Sequence, residues 1–69
     1  MTDIYSYVAI CILADGADNL ITEEEAAYTL QCWQEEEAEI PDGLTAPVLA
    51  AVWNEVILRH YPDATYLEV

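Results

Sequence analysis

The residues able to do chemistry in this chain are few, apart from carboxylates. There is one serine, Ser6, and one histidine, His60, beside two cysteines, Cys11 and Cys32. Nucleophilic catalysis needs a nucleophile, a base and a group that orients the base. Nothing in the spacing brings Ser6 and His60 together. A histidine ending an apolar helix is already explained by the helix dipole and by access to water. The two cysteines are too few and too unpatterned for a disulfide scaffold and read as reduced thiols. Carboxylates are plentiful, 14 of them, so some pairs lie close by chance and proximity alone is no sign of acid–base catalysis. No catalytic residue is assigned, and the chain is read as a non-enzyme.

A metal reading fails on register. A calcium loop needs oxygen ligands at positions 1, 3 and 5, a Gly at 6 and a Glu at 12. Placing Glu25 at position 12 puts Ala14 first and Asn19 sixth, and starting at Asp15 puts Leu20 sixth and Ala26 last. The acyl carrier pattern, a cofactor-bearing serine in Asp-Ser-Leu, fails because Ser6 stands between two tyrosines. Neither a metal site nor a cofactor is expected.

What is left is charge. The 69 residues carry 14 Asp and Glu against a single Arg, a formal net charge of −13. Charged residues make up 22% of the chain, near the roughly 25% of an ordinary globular domain, so the anomaly is the missing cations. Hydrophobic content of 55% and a mean hydropathy of +0.15 exclude a charged disordered tail. A basic patch for nucleic acid or anionic lipid cannot be built. The start, Met1-Thr2-Asp3, is acidic where a secretory leader is basic. The apolar run from Val8 to Ala14 is far short of a membrane span. A cytoplasmic protein without membrane contact is expected.

Three helices must position these charges, within one domain covering residues 1–69. The first is predicted over about 3–14, with Ile4, Val8, Cys11 and Ile12 recurring at helical spacing, Thr2 or Asp3 as cap and Gly16 as a left-handed stop. The β-branched and aromatic run from Ile4 to Leu13 also fits a short buried strand. The second is predicted over 22–39. Thr22 and Glu25 form a capping box, Ala26, Ala27, Leu30 and Trp33 share the apolar face, and Pro41 forces an end. The third, over 45–60, starts at Thr45, admits Pro47 in its first turn and ends before Pro62. Its stripe of Val48, Leu49, Val52, Trp53 and Val56 makes it the central helix, with Ala51, Ile57 and Leu58 on the flanks. Glu55 and Arg59 stand at i,i+4 in the favourable order. A short C-terminal segment follows, with Tyr66, Leu67 and Val69 packing back as an extended piece or one turn. The fold class is therefore all-α, a small bundle expected to be a monomer.

On this frame the acids fall into a pattern. Glu24, Tyr28, Gln31, Glu35 and Glu39 lie along one line of the second helix. Glu25 and Glu36 flank that line, and Asp42 stands just past its end. Duplex DNA carries one charge per about 1.7 Å of axis, so 13 charges equal about 22 Å of duplex. A 69-residue domain has a radius of gyration of about 11 Å. The protein thus carries about the charge of a piece of DNA its own size. The expected partner-binding residues are Glu24, Glu25, Tyr28, Gln31, Glu35, Glu36, Glu39 and Asp42.

In size, acidity, lack of Lys and helical character the chain resembles the small phage-encoded anti-CRISPR proteins, in particular acidic ones that inhibit type I surveillance complexes as DNA mimics. The resemblance is of character over the whole chain; no motif carries it. It implies a basic nucleic-acid-binding partner, a CRISPR effector subunit or a nuclease, met in the host cytoplasm without direct contact to nucleic acid. A weaker likeness, over Ile10 to Glu36, is to bacteriocin nuclease immunity proteins. Those carry a tyrosine pair where this chain has His60-Tyr61-Pro62. An acidic interaction module without mimicry is the alternative.

Overall fold

The computed structural model describes residues 3–66 and contains three helices, α1 (Ile4–Ala14), α2 (Glu23–Glu35) and α3 (Ala46–His60). Among the described residues there is no strand, only an isolated parallel bridge between Leu20 and Tyr66. α3 is central: α1 and α2 each pack against it.

Two of the three helices begin with a side-chain cap on their free N–H groups. Asp3 caps α1 by accepting from the Ser6 amide at 2.7 Å. Thr22 and Glu25 form the full reciprocal capping box of α2. Thr45 occupies the cap position of α3 but its side chain makes no cap bond; Pro47 in the first turn has no N–H to satisfy.

The ends are less uniform. α1 closes in a Schellman turn: Gly16 is left-handed at φ 73°, and the Ala17 amide donates to the Ile12 carbonyl at 3.0 Å. α2 closes the same way, but four residues before its expected end at 39. Glu37 takes the left-handed position at φ 59°, its amide donates to Gln34 and the Ala38 amide donates to Trp33. Two effects account for the shortening. A longer helix would carry Glu35, Glu36, Glu37 and Glu39 at its negative pole. Turning at Glu37 also brings Ile40 against the core.

The core joins Val8 and Ile12 of α1, Ala26 of α2, and Leu49, Ala50, Val56 and Ile57 of α3. Ile57, expected on a flank, is fully buried, while Ala51 and Leu58 are exposed. Ala27, expected on the apolar face of α2, is exposed; Leu30 and Trp33 are half-buried. The connections also contribute to the core. Ile21 and Ala26, and likewise Leu44 and Leu49, occupy the two positions of a hydrophobic staple, before the cap and one turn into the helix, and all four are buried.

The α1–α2 connection is tied to α3 by side chains. Asn54 accepts from the Ile21 amide at 2.9 Å and donates to the Ile21 carbonyl at 3.1 Å, while the Trp53 indole donates to the Asn19 carbonyl at 2.8 Å. Next along, the Leu20 amide donates to the Thr65 carbonyl at 2.8 Å. The tail therefore returns as an extended piece at Tyr66; Leu67 and Val69 lie outside the described residues.

Candidate functional site

α2 presents Glu24, Tyr28, Gln31 and Glu35 on one stripe, all four exposed. Their positions at i, i+4, i+7 and i+11 stay within a narrow arc, and the stripe rises about 16 Å from Glu24 to Glu35. Tyr28 is 71% exposed, the most exposed of the large apolar side chains among the described residues. Glu36 is the exposed C-cap residue.

Two of the expected residues, Glu25 and Glu39, are placed differently from the expectation, while Asp42 lies past the end of α2 as expected. Glu25 is half-buried, and its carboxylate accepts from both the amide and the hydroxyl of Thr22. It is committed to starting the helix. Glu39 is not one turn beyond Glu35, because the backbone has already reversed at Glu37. It is exposed in the α2–α3 connection, as is Asp42. The acids thus form a short helical stripe followed by a corner at the end of α2, where the chain carries Glu35, Glu36, Glu37, Glu39 and Asp42 in close succession, all exposed.

That corner has neighbours the sequence did not announce. Glu39, Ile40 and Pro41 face Tyr7 of α1 across an open cleft of about 300 Å³. The Tyr7 ring meets Trp33 of α2 edge to face, with centroids 5.8 Å apart and planes at 80°. The Tyr7 hydroxyl titrates above its ordinary value. Partial burial is the largest cause, followed by the neighbouring Cys11 and by the negative charge of Glu39. Tyr7 and Cys11 are one turn apart on α1, a spacing visible in sequence; their meeting with Glu39 depends on the turn at Glu37.

Electrostatically the surface is almost unrelieved. Apart from half-buried Glu25, every acidic side chain of the described residues is exposed. The one ion pair among them is Arg59 to Glu55, at 3.1 Å on α3. The same guanidinium lies 5.3 Å from the Tyr5 ring centroid. The single Arg is therefore occupied by local partners, and among the described residues no other Lys or Arg offsets the α2 stripe.

Ser6 and His60 serve elsewhere in the fold. The Ser6 hydroxyl donates to Asp3 at 3.3 Å within the α1 cap. His60 is exposed at the end of α3, in a second open cleft with Asp18, Tyr61 and Asp63. Cys11 and Cys32 are both free and half-buried. Among the described residues, no group of three or more His, Cys, Asp or Glu is arranged to hold a metal ion. No described helix is long and apolar enough to cross a membrane. No family model, curated protein or solved structure matches this chain.

Proposed function

We propose that this chain is an inhibitor that occupies the basic nucleic-acid-binding site of a partner protein, presenting carboxylates where the partner expects phosphates. The DNA-recognition channel of a CRISPR surveillance complex is the proposed target. The observation that carries the reading is the free acidic surface. A body of 31 × 26 × 19 Å bears a net charge of −13 with its only Arg already paired. Self-repulsion of that size lowers stability, and solubility needs a net charge of only about 2–8. A basic cleft recovers the cost by releasing its counterions and neutralising the acids.

The test is a titration against purified surveillance complexes with target duplex as competitor, at two salt concentrations. Binding should exclude DNA and weaken as salt rises. Glu35→Gln combined with Glu39→Gln should reduce affinity by about tenfold while leaving the fold intact, each rim carboxylate–cation pair being worth up to about 1 kcal/mol. Binding that leaves DNA recognition unaffected would overturn mimicry.

One observation favours a second reading, an acidic interaction module without mimicry. Tyr28 stands exposed midway along the stripe, and aromatic residues of this kind anchor protein interfaces. On that reading Tyr28→Ala abolishes binding and the double Glu→Gln variant leaves it unchanged.

A further inference from the structure

The cleft between α1 and the α2–α3 connection has walls and a rim of different character. Its walls are the Tyr7 ring, Ile40 and Pro41, and Glu39 supplies a carboxylate. Its volume of about 300 Å³ is at the bottom of the range for small-molecule sites. It suits one side chain rather than a whole ligand.

The walls are also fixed in advance. Tyr7 is held edge to face by Trp33, Ile40 packs on the core, and proline has a locked φ. Glu39 is the one charged residue of the lining, and Glu35, Glu36, Glu37 and Asp42 stand within four residues of it along the chain, so the cleft disfavours an anionic occupant.

We propose that this cleft is a socket for one arginine side chain of the partner, its guanidinium lying against the Tyr7 ring and paired with the Glu39 carboxylate. Arginine fits better than lysine on three counts. The guanidinium is planar and stacks on an aromatic face, it is less strongly hydrated than an ammonium, and it pairs with a carboxylate through two parallel N–H bonds. A compact ammonium would gain the charge but not the walls. The socket rests on the reading of the chain as a ligand for a basic site. It moves the centre of that site from the α2 stripe to the corner where α2 ends.

The experiment uses the isolated protein and therefore does not depend on which partner is correct. Nα-acetyl-arginine amide and Nα-acetyl-lysine amide are titrated separately while backbone and side-chain NMR shifts are followed. Shifts that saturate at Tyr7, Glu39 and Ile40, and are tighter for arginine, are expected. Glu39→Gln should weaken arginine binding by about fivefold. Glu23→Gln, which removes the same charge at the far end of α2, should leave it unchanged. Equal weakening by both variants, or shifts that spread over all acids without saturating, would overturn the socket. Saturation at the cleft with no surveillance complex bound would support the socket and overturn the surveillance complex as the target. A complex that binds the protein while arginine amide never saturates the cleft would overturn the socket alone.

Discussion

At the scale of single residues, Tyr7 shows how the fold changes a side chain's chemistry. Its hydroxyl is held above the ordinary value of 10.0 by partial burial, by Cys11 and by Glu39. A phenol whose pKa rises on folding keeps its proton longer in the native state than in the unfolded chain. Between the two values the native state holds the extra proton, so stability falls as pH rises. The contribution is complete below pH 10.0 and is lost as pH climbs through the raised native value. Tyr7→Phe keeps the ring on Trp33 but has nothing to ionise. Chemical denaturation at neutral pH and above pH 10.0 should show a shallower alkaline loss for the variant than for the parent; parallel losses would contradict this role for Tyr7. Other single-residue roles were legible in the sequence because they are local. Asp3, Thr22 with Glu25, and Glu55 with Arg59 all act within one turn of chain. Tyr7 against Glu39 was not, because nothing within a turn of either residue refers to the other.

Helix starts and helix ends differ in the same way at the scale of elements. The starts of α1 and α2 were legible from their caps, and α1 stops just before the left-handed Gly16 as its spacing implied. α2 ended early because Glu37 adopts a left-handed backbone that favours glycine. Holding a non-glycine residue there costs about 1 kcal/mol, and the Glu37 charge at the negative helix pole adds to it. Glu37→Gly should therefore stabilise the protein by about 1 kcal/mol, measured as a higher urea midpoint with unchanged slope. No change, or a loss, would mean that the turn is not strained. The connections are the other elements that sequence periodicity underrated. Leu20, Ile21 and Leu44 lie outside every helix yet are buried. Ile21 and Leu44 each stand just before a helix cap, the staple position, a local signal that helical periodicity does not read. The clamp by Asn54 gave none, since a polar residue on a helix flank has no period to announce its partner. Asn54→Ala should cost about 1–3 kcal/mol by leaving the Ile21 amide and carbonyl unpaired. Hydrogen exchange at Ile21 should quicken more than at Val8, separating loss of the clamp from general unfolding.

Over the whole molecule, α1 and α2 packed on a central α3 were written in the sequence because apolar spacing and chain breaks agreed. The direction in which the acids point was not, because it depends on where α2 stops. Once that end is known, the charge has physical consequences for the free protein. The acids stand on a body with a radius of gyration of 11.3 Å, so many pairs lie within one or two Debye lengths at low salt. That length shortens from about 30 Å at 0.01 M to about 8 Å at 0.15 M. Raising salt should therefore stabilise the isolated protein, by about 1 kcal/mol or about 5 °C in thermal midpoint for a domain of this size. The same salt should weaken capture by a basic partner, because each counterion released on binding is then returned to a more concentrated solution. Opposite signs in the two experiments are the signature of a surface that repels itself when free and is neutralised when bound. A thermal midpoint independent of salt, measured alongside a partner affinity that also ignores salt, would remove electrostatics as the basis of recognition. The exposed aromatic surface around Tyr28 would then have to carry it.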